Sequence, residues 1–109
     1  MEQIERIKHM EDILDRSKQV IYELEEALEK YKNICKEIQE LETYYESDTW
    51  RADFEDDEAG KIPKDLKRGV LSEDAVYNLL SYHDELLEEL ASVVEDAYSK
   101  IWGVRNEDQ

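Results

Sequence analysis

The chain has 109 residues and sets 30 Asp and Glu against 14 Lys and Arg, a net charge of −16, so it is single-domain in length and strongly acidic. That charge disfavours DNA, RNA and anionic membrane surfaces as direct ligands, because like charges repel before contact forms, and it leaves basic protein partners open. No run approaches the roughly 20 consecutive apolar residues that a membrane span requires.

The start, Met1-Glu2-Gln3-Ile4-Glu5, lacks the basic and then apolar pattern of a secretory signal. Cys35 is the single cysteine, so no intrachain disulfide can form, and a reduced, cytoplasmic location is expected. Of all residues 40% are charged, yet another 40% are hydrophobic and recur with a clear period, which argues against disorder. With 3 Gly and 1 Pro the composition favours long uninterrupted helices, and the fold class expected is all-α, in one domain over residues 1–109.

The first element runs over 2–46, a stretch free of Gly and Pro. Ile7, Leu14, Ile21, Leu28 and Cys35 fall seven apart. A second row runs Met10, Ser17, Leu24, Tyr31, Ile38 and Tyr45, and a third Ile13, Val20, Ala27, Ile34 and Leu41. A stripe three positions wide is the pattern of a helix packed in a bundle, broader than a coiled-coil seam. Such a helix would be about 65 Å long at the α-helical rise. A break near Ser17, folding the N-terminal segment back as a third helix, is the alternative, although no Gly or Pro supports it.

A connector over 47–71 follows, too long for a simple turn and rich in its own apolar residues. Asp48 is a candidate cap for a short helix over about 49–58, carrying Trp50 and Phe54 and stopped by Gly60. Pro63 begins a turn through Leu66. Gly69 is read as supplying a turn conformation that other residues resist, and Val70 and Leu71 as stapling the next helix.

The last helix is expected over 73–102, with Ser72 as cap and Glu73 and Asp74 facing the positive end of its dipole. Leu80, Leu87, Val94 and Ile101, then Val76, His83, Leu90 and Ala97, then Leu79, Leu86 and Val93 repeat the three-wide stripe. Gly103 ends it, and 105–109 reads as a frayed tail. A helical hairpin offers more apolar surface than its two helices can cover, so a symmetric homodimer forming a four-helix bundle is expected.

Catalytic and metal readings fail on position. Glu25, Glu26, Glu29, Glu37, Glu40, Glu85, Glu88 and Glu89 all lie off the stripes, where a bundle metal site needs inward carboxylates. A metal-dependent hydrolase is therefore disfavoured. A calcium loop starting at Asp53 would need Gly and Glu where Glu58 and Lys64 stand. His83 lacks a second ligand nearby, and Cys35 reads as a small buried hydrophobe. No catalytic residue, metal ligand or cofactor is expected. Lys61, Lys64, Lys67 and Arg68 are read as pairing with the neighbouring acids rather than with phosphate.

The block from Tyr44-Tyr45-Glu46-Ser47-Asp48-Thr49-Trp50-Arg51-Ala52-Asp53 through Gly60 and Pro63 to Asp65-Leu66-Lys67-Arg68-Gly69-Val70-Leu71-Ser72-Glu73-Asp74 resembles a family of small bacterial proteins classed only as a domain of unknown function. The resemblance covers nearly the whole chain and implies a free-standing bacterial cytoplasmic protein, with no catalytic residues to carry over. It draws attention to the connector. Tyr45, Trp50, Asp53, Phe54, Leu66 and Arg68 are the candidate partner-binding residues there, since aromatic anchors ringed by charge suit protein recognition. The function expected is a non-enzymatic interaction module: a homodimer that also meets an unidentified protein partner. The alternative is an acidic mimic of nucleic acid occupying a basic groove, which the Lys and Arg interspersed along the first helix oppose.

Overall fold

The computed structural model describes residues 2–102, with the backbone alone at 102. Among these residues the regular structure is helical: α1 (Gln3–Tyr45), α2 (Asp48–Glu58), a 3₁₀ turn (Gly69–Leu71) and α3 (Ala75–Ala97), which passes directly into a π-helical turn over Tyr98–Trp102. The chain divides into two units, Met1–Glu40 and Leu41–Gln109.

The first unit is the greater part of α1. It runs unbroken through Ser17, so the fold-back alternative does not hold: with no Gly or Pro, nothing offsets the loss of the helical hydrogen bonds at a break. Its apolar rows are open, with Leu14 46% and Leu28 50% exposed. Cys35 is half-buried rather than buried. Partial burial, together with a hydrogen bond to the Cys35 thiol one turn on, pushes the Tyr31 phenol above its ordinary range.

The second unit holds the end of α1, the connector and α3. Ser47 makes the first corner. Its backbone is extended (φ −91°, ψ 160°), which ends α1, and its Oγ works in both directions. It donates to the Tyr44 carbonyl at 2.6 Å, which also accepts from the Ser47 N–H, and accepts from the orphan Trp50 N–H at 3.1 Å. Ser47 is thus the cap of α2, where the sequence suggested Asp48. Asp48 lies one position inside, in the first turn, where its charge suits the helix dipole.

α2 closes at Gly60 as expected. Gly60 has φ +76°, its N–H reaches the Asp57 carbonyl at 3.0 Å, and the Lys61 N–H reaches the Asp56 carbonyl at 2.9 Å. This pair of bonds is the Schellman arrangement, which requires a left-handed residue. The turn at Pro63 also forms, the Leu66 N–H donating to its carbonyl at 3.2 Å.

Gly69 behaves differently from its reading. It lies in the 3₁₀ turn without a positive φ, and a Cβ there would meet nothing within 4 Å, so neither conformation nor crowding demands glycine. Ser72 repeats the device of Ser47: its Oγ donates to the Gly69 carbonyl at 2.9 Å and accepts from the Ala75 N–H at 3.1 Å. Ser72 thus ties the turn that leads into α3, but the N-cap position falls to Asp74, which makes no side-chain cap bond, because regular helix begins at Ala75 rather than at 73. Leu71 and Val76 are the buried apolar side chains among the described residues, a small core beneath this second corner. The stop assigned to Gly103 and the tail over 105–109 lie outside the described residues.

Candidate functional site

Two consecutive tyrosines at the end of α1 grip the connector in different places. The Tyr44 hydroxyl donates to Oδ2 of Asp53 at 2.6 Å, binding α1 to α2. Partial burial, then that hydrogen bond and the negative charge of Asp53, push its phenol up from 10.0 to about 12. The Tyr45 hydroxyl donates to the Glu73 carbonyl at 3.2 Å, binding α1 to the start of α3.

The ring of Tyr45 meets Trp50 edge-on, with centroids 5.1 Å apart and planes at 71°. Trp50 in turn stacks on Phe54, one turn along α2, at 5.2 Å and 18°. These are the two favoured aromatic geometries. The indole N–H donates to the Val70 carbonyl at 2.8 Å, so Trp50 also holds the 3₁₀ turn. One side chain joins α1, α2 and the approach to α3.

The basic residues settle against the acids of α2. Arg68 Nη1 lies 2.6 Å from Oδ1 of Asp57, both side chains being partly withdrawn from water, and Lys61 approaches Asp56 at 3.8 Å in the open. The former pair closes one side of an open groove lined by Phe54, Asp57, Glu58, Arg68, Leu71, Ser72, Glu73 and Asp74. The lining is carboxylate-rich. No group of three or more His, Cys, Asp or Glu placed to hold a metal ion occurs among the described residues.

The six residues singled out from the sequence thus divide. Tyr45, Trp50 and Phe54 form a continuous aromatic ladder. Asp53 turns to Tyr44 and Arg68 to Asp57, while Leu66 stands apart, 54% exposed. Sequence reasoning passed over Tyr44 and Asp57, the partners of two of them, and the Val70 carbonyl. Spacing offered a signal for Tyr44 alone, since it stands beside Tyr45 at the helix end; Asp57 is one carboxylate in a run of four acids.

A family model described as a domain of unknown function, DUF4298, matches residues 7–92. The chain belongs to the DUF4298 family. The matched span takes in most of α1, the whole connector and α3 as far as Ser92, so the paired tyrosines, the ladder and both serine corners lie within the DUF4298 region. No curated protein and no solved structure matches the chain. No described helix is long and apolar enough to cross a membrane.

Proposed function

We propose that this DUF4298 protein is a non-enzymatic helical interaction module that works by self-association. The observation that carries the reading is the exposure of the stripes on both long helices: Leu28 on α1 is 50% exposed and Leu90 on α3 is 42% exposed, within rows that are mostly apolar apart from Ser17 and His83. Apolar surface of that extent marks a contact face, because lone soluble chains rarely present contiguous patches beyond a few hundred Å². The connector supports this division of labour. Its aromatic ladder, its serine hydrogen bonds and its Arg68–Asp57 pair are used inside the chain, as parts of a stiff corner.

A homodimer covering the stripes is the simplest closed assembly, since each copy offers the other the same surface. Light scattering coupled to size exclusion tests the reading, using the full chain and a variant with Leu14→Asp and Leu87→Asp. The parent elutes with at least twice the 13.0 kDa chain mass, and the variant shifts towards the single-chain value. A parent that stays monomeric at micromolar concentration contradicts it.

A further inference from the structure

The charges beside the two stripes are not alike, and the difference says which helix covers which. On α1 the positions bordering the apolar rows include Arg16 and Lys30 on one side and Lys18 and Lys32 on the other, with Glu11, Glu23, Glu25 and Glu37 among them. On α3 the charged border positions are Asp84, Glu89 and Asp96, and the helix contains no Lys or Arg at all. These charged groups are exposed. The local ion pairs Arg16–Asp12, Lys32–Glu29 and Lys100–Asp96 lie at the surface and are cheap to rearrange, so they leave the bases of α1 available.

Pairing α3 with a second α3 would bring two wholly acidic borders together, and like charges across an interface cost several kcal/mol. Pairing it with α1 opposes carboxylates to Arg and Lys. The shapes agree as well: Ser17 leaves a shallow depression on α1 between Ile13, Val20 and Ile21, edged by Arg16, while α3 presents leucines at 79, 86, 87 and 90. Bases at 16–32 span about 24 Å of helix and acids at 84–96 about 18 Å, so the two borders are of similar length.

Resting on the self-association proposed above, we infer that α3 of each copy packs along the α1 stripe of a second copy, with Asp84, Glu89 and Asp96 of one chain facing Arg16, Lys18, Lys30 and Lys32 of the other. In a two-fold dimer this contact occurs twice and covers the α3 stripe and the matching stretch of the α1 stripe in both chains.

A charge-exchange cycle on the full chain tests it, reading the dissociation constant by sedimentation velocity and helical content by far-ultraviolet circular dichroism. One set carries Arg16→Glu, Lys18→Glu, Lys30→Glu and Lys32→Glu, and the other Asp84→Lys, Glu89→Lys and Asp96→Lys. Each set alone weakens self-association about tenfold or more, and both sets in one chain restore it to within about threefold of the parent. Failure of the combined chain to associate more tightly than either set alone overturns the α1–α3 pairing and leaves self-association standing. A monomeric parent overturns the proposed function and this inference together. If a reversed set loses helix, the same cycle with Gln at the seven positions decides: the α3 set costs nothing further once the α1 set is present, and additive losses overturn the pairing.

Discussion

The indole N–H of Trp50 donates to the backbone carbonyl of Val70, 20 residues further along, at 2.8 Å. That bond joins α2 to the turn before α3, and the ring that makes it is held between Tyr45 and Phe54. Trp50→Phe keeps the aromatic surface and removes the donor. It is expected to cost about 1 kcal/mol, the usual net worth of one hydrogen bond, and Trp50→Ala about 2–3 kcal/mol, less than a fully buried aromatic because Trp50 is only partly buried. Urea unfolding of the second unit, followed by near-ultraviolet circular dichroism, measures both.

Tyr44 makes a statement about pH. Its phenol titrates at about 12 in the folded chain against 10.0 unfolded, so the fold favours the protonated form. The stabilisation is therefore fully present below pH 10, declines as pH rises through the interval from 10 to about 12, and is gone above it. Absorbance at the tyrosinate band resolves this directly: with 7 tyrosines in the chain, one late-titrating phenol disappears in Tyr44→Phe. If the phenol lost in that variant titrates near the ordinary 10.0 instead, the Tyr44–Asp53 bond does not hold the proton.

The serine corners predict an asymmetry between neighbours. Ser47→Ala removes both hydrogen bonds of its Oγ and is expected to cost about 1 kcal/mol, whereas Asp48→Ala loses only a dipole interaction worth a few tenths. Comparing the two in denaturant melts separates a capping role at 47 from one at 48. A larger loss at Asp48 than at Ser47 would return the cap to Asp48.

Arg68 and Asp57 meet at 2.6 Å with side chains 34% and 22% exposed. A pair in that intermediate setting is expected to couple by about 1 kcal/mol, discounted for the water that still reaches it. A double-mutant cycle with Arg68→Ala and Asp57→Ala gives the coupling, and a value indistinguishable from zero would reduce the pair to a surface contact.

The long helices were legible in the sequence because their signal is repetitive. Rows seven apart with no Gly or Pro specify α1 over nearly its full length, and the Gly60 stop follows from local chemistry. The pairing of Lys61 and Arg68 with the neighbouring acids was legible, but other tertiary partners were not. The chemistry that makes Trp50 a plausible anchor for a foreign protein equally suits a carbonyl of its own chain, and residue type does not distinguish them. Ser47 and Asp48 are both good caps, and the choice depends on which residue takes the extended backbone. Gly69 was misread for a related reason: glycine in a turn suggests a positive φ, and the 3₁₀ geometry there does not use one.

The central claim is that the exposed stripes of α1 and α3 are a contact surface between copies. Sedimentation equilibrium of the full chain across the micromolar range tests it most directly, because it returns a mass independent of shape. The account predicts a mass approaching twice 13.0 kDa as concentration rises. A single-chain mass throughout that range would contradict it.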